Sequence, residues 1–180
     1  MRNGWWGTGA RAAAAVLLLA GIFATPVQAA TLEEDAMNAA REWVKAVTAY
    51  DVDTQMNLLP KRLYASPESR ERAKQMRLHD KEMAKINREK IHSFEIQAPS
   101  ATSKIGKMTL VIIPYKEVIE NEKAGKIERT SSLLAIAEEG NPDWAVMDGS
   151  GQSFKSLKFV LPGYSGHPRI PPSLSKVVKD

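Results

Sequence analysis

The chain has 180 residues and no cysteine, and its 25 Lys and Arg against 21 Asp and Glu leave a formal charge of +4. That length suits one domain with a core that needs no staples, and the missing cysteines exclude disulfides and thiolate metal sites. So small a net charge gives no electrostatic footprint for a nucleic-acid partner.

The N-terminus reads as an export signal. Arg2 and Arg11 flank a basic start, the run from Ala12 to Ala24 is uncharged and apolar, Pro26 breaks it, and Val27 and Ala29 place small residues at a cleavage site. The apolar run is too short to cross a bilayer comfortably, so a signal peptide over residues 1–29 is expected rather than an anchor. No cysteine follows it to carry a lipid, and the expected destination is the periplasm, with full secretion as the alternative. Removing Arg2 and Arg11 leaves the remainder at +2.

Helices come next. Thr31 and Glu34 have the spacing of a capping box, and Ala36, Ala40, Trp43, Val44, Val47 and Tyr50 recur at three- and four-residue steps, which predicts a helix with one apolar face. Asp53 is the expected cap of a short second helix ending at Pro60. Ser66 followed by Pro67 opens a third, running to about Lys90. Its stripe of Ala73, Met76, Met83 and Ala84 includes Asp80 and Asn87 at helical spacing. Asp80 is then either an acid or base in a pocket, its pKa raised by burial, or the wet end of a basic helix.

From Lys61 to Lys90 ten basic residues face five acidic ones. The stretch is either a solvated face laced with ion pairs or a patch for an anionic partner, such as lipid headgroups or cell-wall polymer. Arg70, Arg77 and Lys81 are the candidates on that second reading. No aromatic residues interleave to stack bases.

After Lys90 the period changes to two. IHSFEIQA alternates, with His92, Phe94, Ile96 and Ala98 on one side, and PSATS is expected to be a turn or loop. KIGKMTLVIIPY predicts a longer strand, with an edge or bulge at Pro114. NEKAGK is a turn, IERTSSLLAIAEE another long strand, GNPD a turn, and DWAVMD the last strand of a meander. At DGSG the glycines are misplaced for a nucleophile elbow, and a phosphate loop lacks its Lys. Asp148 therefore ends a strand, Gly149 and Gly151 permit unusual dihedrals, and a short helix starting near Ser153 buries Phe154, Leu157 and Val160. A proline-rich tail, residues 165–180, is expected to be extended. The class is α+β: N-terminal helices on a curved antiparallel sheet, with a short C-terminal helix, in one domain over residues 30–164.

This order resembles the nuclear transport factor 2-like superfamily, the cone-shaped fold of ketosteroid isomerase and polyketide cyclases. An amphipathic helix ends in AVTAYDVDTQMNLL, where an acidic turn leads to a second short helix, and the closing DWAVMDGSG is similar to exported members. The resemblance implies a bent sheet wrapped around a conical cavity, often in a homodimer, with Asp, His or Tyr inside the cone where the family catalyses. This chain offers Tyr50, Asp80, His92 and Tyr115 as candidate lining groups, none of them in a recognisable catalytic motif, and the fold alone transfers no function.

No cofactor is implied. The histidines at 79, 92 and 167 lack metal-ligand spacing. Three functions stay open. The first is a non-catalytic exported binding or accessory domain, holding a small apolar ligand near Tyr50, His92 and Tyr115 or a partner on its sheet. The second is an isomerase- or cyclase-like enzyme with Asp80 or His92 as base and Tyr115 as oxyanion donor. The third is a basic module on anionic envelope surfaces.

Overall fold

The computed structural model describes residues 26–64, 66–141 and 143–178, with side chains from Thr31 onward. Most of the expected signal segment lies outside these residues. Its last four, Pro26–Ala29, belong to the first helix, α1 (Pro26–Thr48), so Thr31 sits inside α1 and not at its start. No helix among the described residues is long and apolar enough to cross a membrane.

Ala36, Ala40, Trp43 and Ala46 bury the inner face of α1. The helix stops with Tyr50 in the left-handed region at φ 51°, where the amides of Tyr50 and Asp51 bond back to the carbonyls of Val47 and Ala46. Such a closure satisfies the orphan carbonyls at a helix end. The cap of α2 (Val52–Leu58) is Asp51, whose carboxylate accepts from the Thr54 amide at 3.1 Å and the Thr54 hydroxyl at 2.7 Å. The expected cap, Asp53, instead lies in the first turn and pairs with Lys74 at 2.7 Å. A side-chain cap reaches the amide three residues on, and only Asp51 has that spacing to Thr54.

A 3-10 turn (Lys61–Leu63) leads to α3 (Pro67–Ile86). Ser66 caps it in a reciprocal pair with Ser69, and Pro67 takes the first helical position. The expected apolar stripe is displaced around this helix. Met76 is 69% exposed, Met83 and Asp80 are exposed, and only Ala84 is fully buried. The inward line runs through Ala73, Arg77, Lys81 and Ala84 instead. Arg77 lies over the Trp43 ring at 5.8 Å, and Lys81 donates to the Tyr50 carbonyl at 3.0 Å. Cations thus occupy helical positions that a count of apolar residues leaves out, with their stems covering apolar surface.

The sheet has six strands, all paired antiparallel: β1 (Lys90–Ile96), β2 (Ala101–Ile105), β3 (Met108–Asn121), β4 (Gly125–Glu138), β5 (Trp144–Asp148) and β6 (Leu174–Val178). The long β3–β4 hairpin is its spine. β1 and β2 share the free flank of β3, while β5 and β6 share that of β4. Part of the expected PSATS loop is strand β2, which turns back at Gly106, φ 59°. Pro114 lies where β1 gives way to β2, with its carbonyl accepting from the Gln97 amide at 2.8 Å. Its missing donor therefore falls in the gap between two strands.

One half of the spine is covered on both faces. Thr102, paired with Val111, donates to Glu33 of α1 at 2.7 Å, so α1 lies over the face of Val111, Ile113 and Tyr115. On the other face, α4 (Phe154–Val160) buries Leu157 and Val160 but leaves Phe154, expected to be buried with them, 53% exposed, and Ile170 and Leu134 both lie beside Gly149. Double coverage explains why LVII and LLAIA read as continuous apolar runs. The tail from residue 165 is extended, and its end adds β6 to the far half of β4.

Candidate functional site

The β3–β4 register sets Tyr115 opposite Ser131 and Glu117 opposite Arg129, and the β4–β5 register sets Leu133 opposite Asp148. Residues two apart share a face, so Tyr115, Glu117, Arg129, Ser131 and Asp148 all project towards the helical layer. Polar side chains here interrupt an otherwise apolar surface.

They are wired to one another. The Tyr115 hydroxyl donates to Asp148 Oδ2 at 3.1 Å, and the other Asp148 oxygen accepts from the Ser150 amide at 2.8 Å. Arg129 forms an ion pair with Glu117, approaches Asp148 at 3.7 Å, and lies over the Tyr115 ring at 5.8 Å. Phe94 stacks on Tyr115 with centroids 4.7 Å apart. Glu117 is 1% exposed, and burial pushes its carboxyl above the usual range although Arg129 pulls it back. Burial, then the charge of Asp148, drives the Tyr115 hydroxyl well above its ordinary pKa. Burial also opposes the charge on Arg129, but Glu117, Tyr115 and Asp148 together hold it more firmly protonated. The Ser131 and Ser132 hydroxyls are buried with no partner among the described residues.

Chemically, Tyr115 is a neutral donor rather than a base at neutral pH, and Arg129 is a fixed cation between two carboxyl groups. Asp80 and His92 do not join it. Asp80 is exposed on α3. His92 lies at a β1 bulge between Ile91 and Ser93, exposed, 2.5 Å from Glu120. The bulge separates it from the face of Phe94 and Ile96, which strict alternation assigns to it. Tyr50 is half-buried and donates to Glu89 at 3.2 Å; burial and then Glu89 push its pKa up to about 12. The three cations expected to form a patch for an anionic partner are also engaged by the fold. Arg70 bonds Asn57 at 2.8 Å and lies 5.9 Å over Tyr64, while Arg77 and Lys81 anchor α3 as described.

Glu117 and Arg129 are absent from the sequence-derived candidates. The signal for them was present: folding the hairpin about NEKAG, with Asn121 opposite Gly125, sets Glu117 opposite Arg129.

A second feature is an open cleft of about 700 Å³ between α1, α2, the 3-10 turn and the ends of β3, β4 and β5. Its floor is apolar, including Met56, Ile136 and Val160, which are buried, and the half-buried Trp144. Exposed Arg62 and Arg70 line it together with exposed Glu42 and Glu138. Of the candidate site residues named from the sequence only Arg70 contributes, and no member of the Tyr115 cluster does. Among the described residues no three His, Asp or Glu side chains gather to hold a metal ion.

Comparison with protein-family models, curated proteins and solved structures finds no match for this chain.

Proposed function

We propose that this chain is an exported, non-catalytic binding or accessory domain of the nuclear transport factor 2-like type, and that its ligand occupies the open cleft. The observation that carries the reading is the cleft itself. An apolar floor within a rim of both charge signs suits a small molecule with an apolar body and a polar end. The interior cluster supports the same reading, because its hydroxyl, guanidinium and carboxylates hydrogen-bond or pair with one another. The isomerase-like alternative requires Asp80 or His92 beside Tyr115, and each of the three has its own separate neighbourhood.

The test is titration with an anilinonaphthalene sulfonate, an apolar fluorophore with an anionic end. The expected result is saturable binding at one site per chain, weakened at least tenfold by Ala39→Trp, which fills the cleft, and by Arg62→Glu on its rim. Binding that is unchanged in both folded variants refutes the assignment.

A further inference from the structure

Arg77 and Lys81 of α3 are folded inward, but the two cations of α4 are exposed. Between Gly149 and Val178 the chain carries Lys155, Lys158, Arg169 and Lys176 and no acidic residue. Within α4, Leu157 and Val160 face the core while Phe154, Lys155, Lys158 and Phe159 are exposed. At 3.6 residues per turn these four occupy one continuous arc of about 140°. Phe154 is 53% and Phe159 57% exposed, which is unusual for a residue type that normally fills cores. Lys158 lies over the Phe154 ring at 5.9 Å, and Gly166 abuts the same ring. α4 also packs against the 3-10 turn that carries exposed Lys61 and Arg62. The acidic residues near that turn are Asp143, 4.0 Å from Lys61, and Glu42 and Glu138, which line the cleft with Arg62.

The geometry points to the exposed arc of α4 as a docking surface for an anionic lipid bilayer, with Phe154 and Phe159 entering the headgroup boundary and Lys155 and Lys158 reaching lipid phosphates. An acidic protein surface would satisfy the two lysines but leave two phenyl rings in water. A bilayer interface supplies phosphate and hydrocarbon side by side. Lys61, Arg62 and Val160 also line the cleft, but none of the four residues of the exposed arc does.

The absence of native cysteine allows a local readout that an apolar N-terminus cannot mimic. The full chain is labelled with an environment-sensitive nitrobenzoxadiazole at Ser165→Cys, next to Gly166, or at Lys123→Cys in the distant β3–β4 turn. With phosphatidylglycerol-containing vesicles, the label at 165 is expected to move to an apolar environment and that at 123 to stay in water. Phosphatidylcholine vesicles and soluble polyglutamate are expected to change neither. Lys155→Gln with Lys158→Gln should weaken the response roughly thirtyfold, at about fivefold per lysine. Phe154→Ser with Phe159→Ser should weaken it at least tenfold in protein whose circular dichroism shows the fold intact, and Phe159→Ser alone covers the case in which losing the Phe154–Tyr164 ring contact at 5.8 Å disturbs α4. The proposal is overturned if the label at 165 ignores phosphatidylglycerol, if polyglutamate or neutral vesicles give the same signal, or if the response survives both pairs of substitutions in folded protein.

Discussion

Arg129→Met probes how the buried polar cluster is balanced. The substitution removes the partner of Glu117, which is 1% exposed and already holds its proton more tightly than a free carboxyl. Removing one member of a buried ion pair costs about 3–5 kcal/mol, because the remaining charge is stranded. The Arg129 side chain is about a third exposed, so solvent screening lowers the expectation to about 2–3 kcal/mol at pH 7. In a chain of this size that is a fall in Tm of roughly 5–10 °C. The pH dependence has a definite sign. A carboxyl whose folded-state pKa is raised favours the folded state below its unfolded pKa, and that contribution is lost as pH rises through the folded value. Without Arg129 the folded value of Glu117 rises further. The variant's deficit should therefore be largest at neutral pH and shrink as pH falls towards the ordinary carboxylate range. Urea unfolding at several pH values, followed by circular dichroism, measures this. Adding Glu117→Gln to Arg129→Met removes the stranded charge and should recover more than half of the loss at pH 7. A deficit independent of pH, or a double variant no more stable than Arg129→Met, would refute the account.

Three further outcomes follow from the same packing. Asp148→Ala leaves the buried Tyr115 hydroxyl and the Ser150 amide without their acceptor, and should cost about 2 kcal/mol; Tyr115→Phe should cost about 1 kcal/mol, and a double-mutant cycle should show the two coupled. Gly149→Ala should destabilise by about 2 kcal/mol in thermal melts, because a Cβ there would sit 2.9 Å from the Ser132 carbonyl oxygen. Met76→Lys, on the exposed side of α3, should stay within about 0.5 kcal/mol of the parent, whereas Leu78→Ala, packed against the core, should cost at least about 1 kcal/mol. The reverse order would place the Met76 stripe inward after all.

Much of this architecture is written in local chemistry. The Ser66–Pro67 helix start, the Ser153 cap, the turns at NEKAG and GN, and the long strands between them depend on neighbours in sequence, and the sequence determined them, as it did the α+β class. Where expectation and structure part, a chain reversal, a bulge or a remote partner decides. Asp51 rather than Asp53 caps α2 within a chain reversal that the left-handed Tyr50 makes possible. One extra residue at the β1 bulge turns His92 to solvent beside Glu120, and no periodicity count registers a bulge. α3 faces the core through Arg77 and Lys81 because Trp43 and the Tyr50 carbonyl wait there, and a hydrophobicity pattern treats cations as outward. The Tyr115–Asp148–Arg129–Glu117 cluster joins three strands, so it exists only once the registers are set. The sequence by itself determined α2 to α4, the strands β1, β3, β4 and β5 with their order, and the place where DGSG ends a strand, but not β2 or β6, which exist only as partners of the long hairpin. Tertiary structure alone decided which polar side chains meet, because a buried charge takes its energy from partners that chain separation hides.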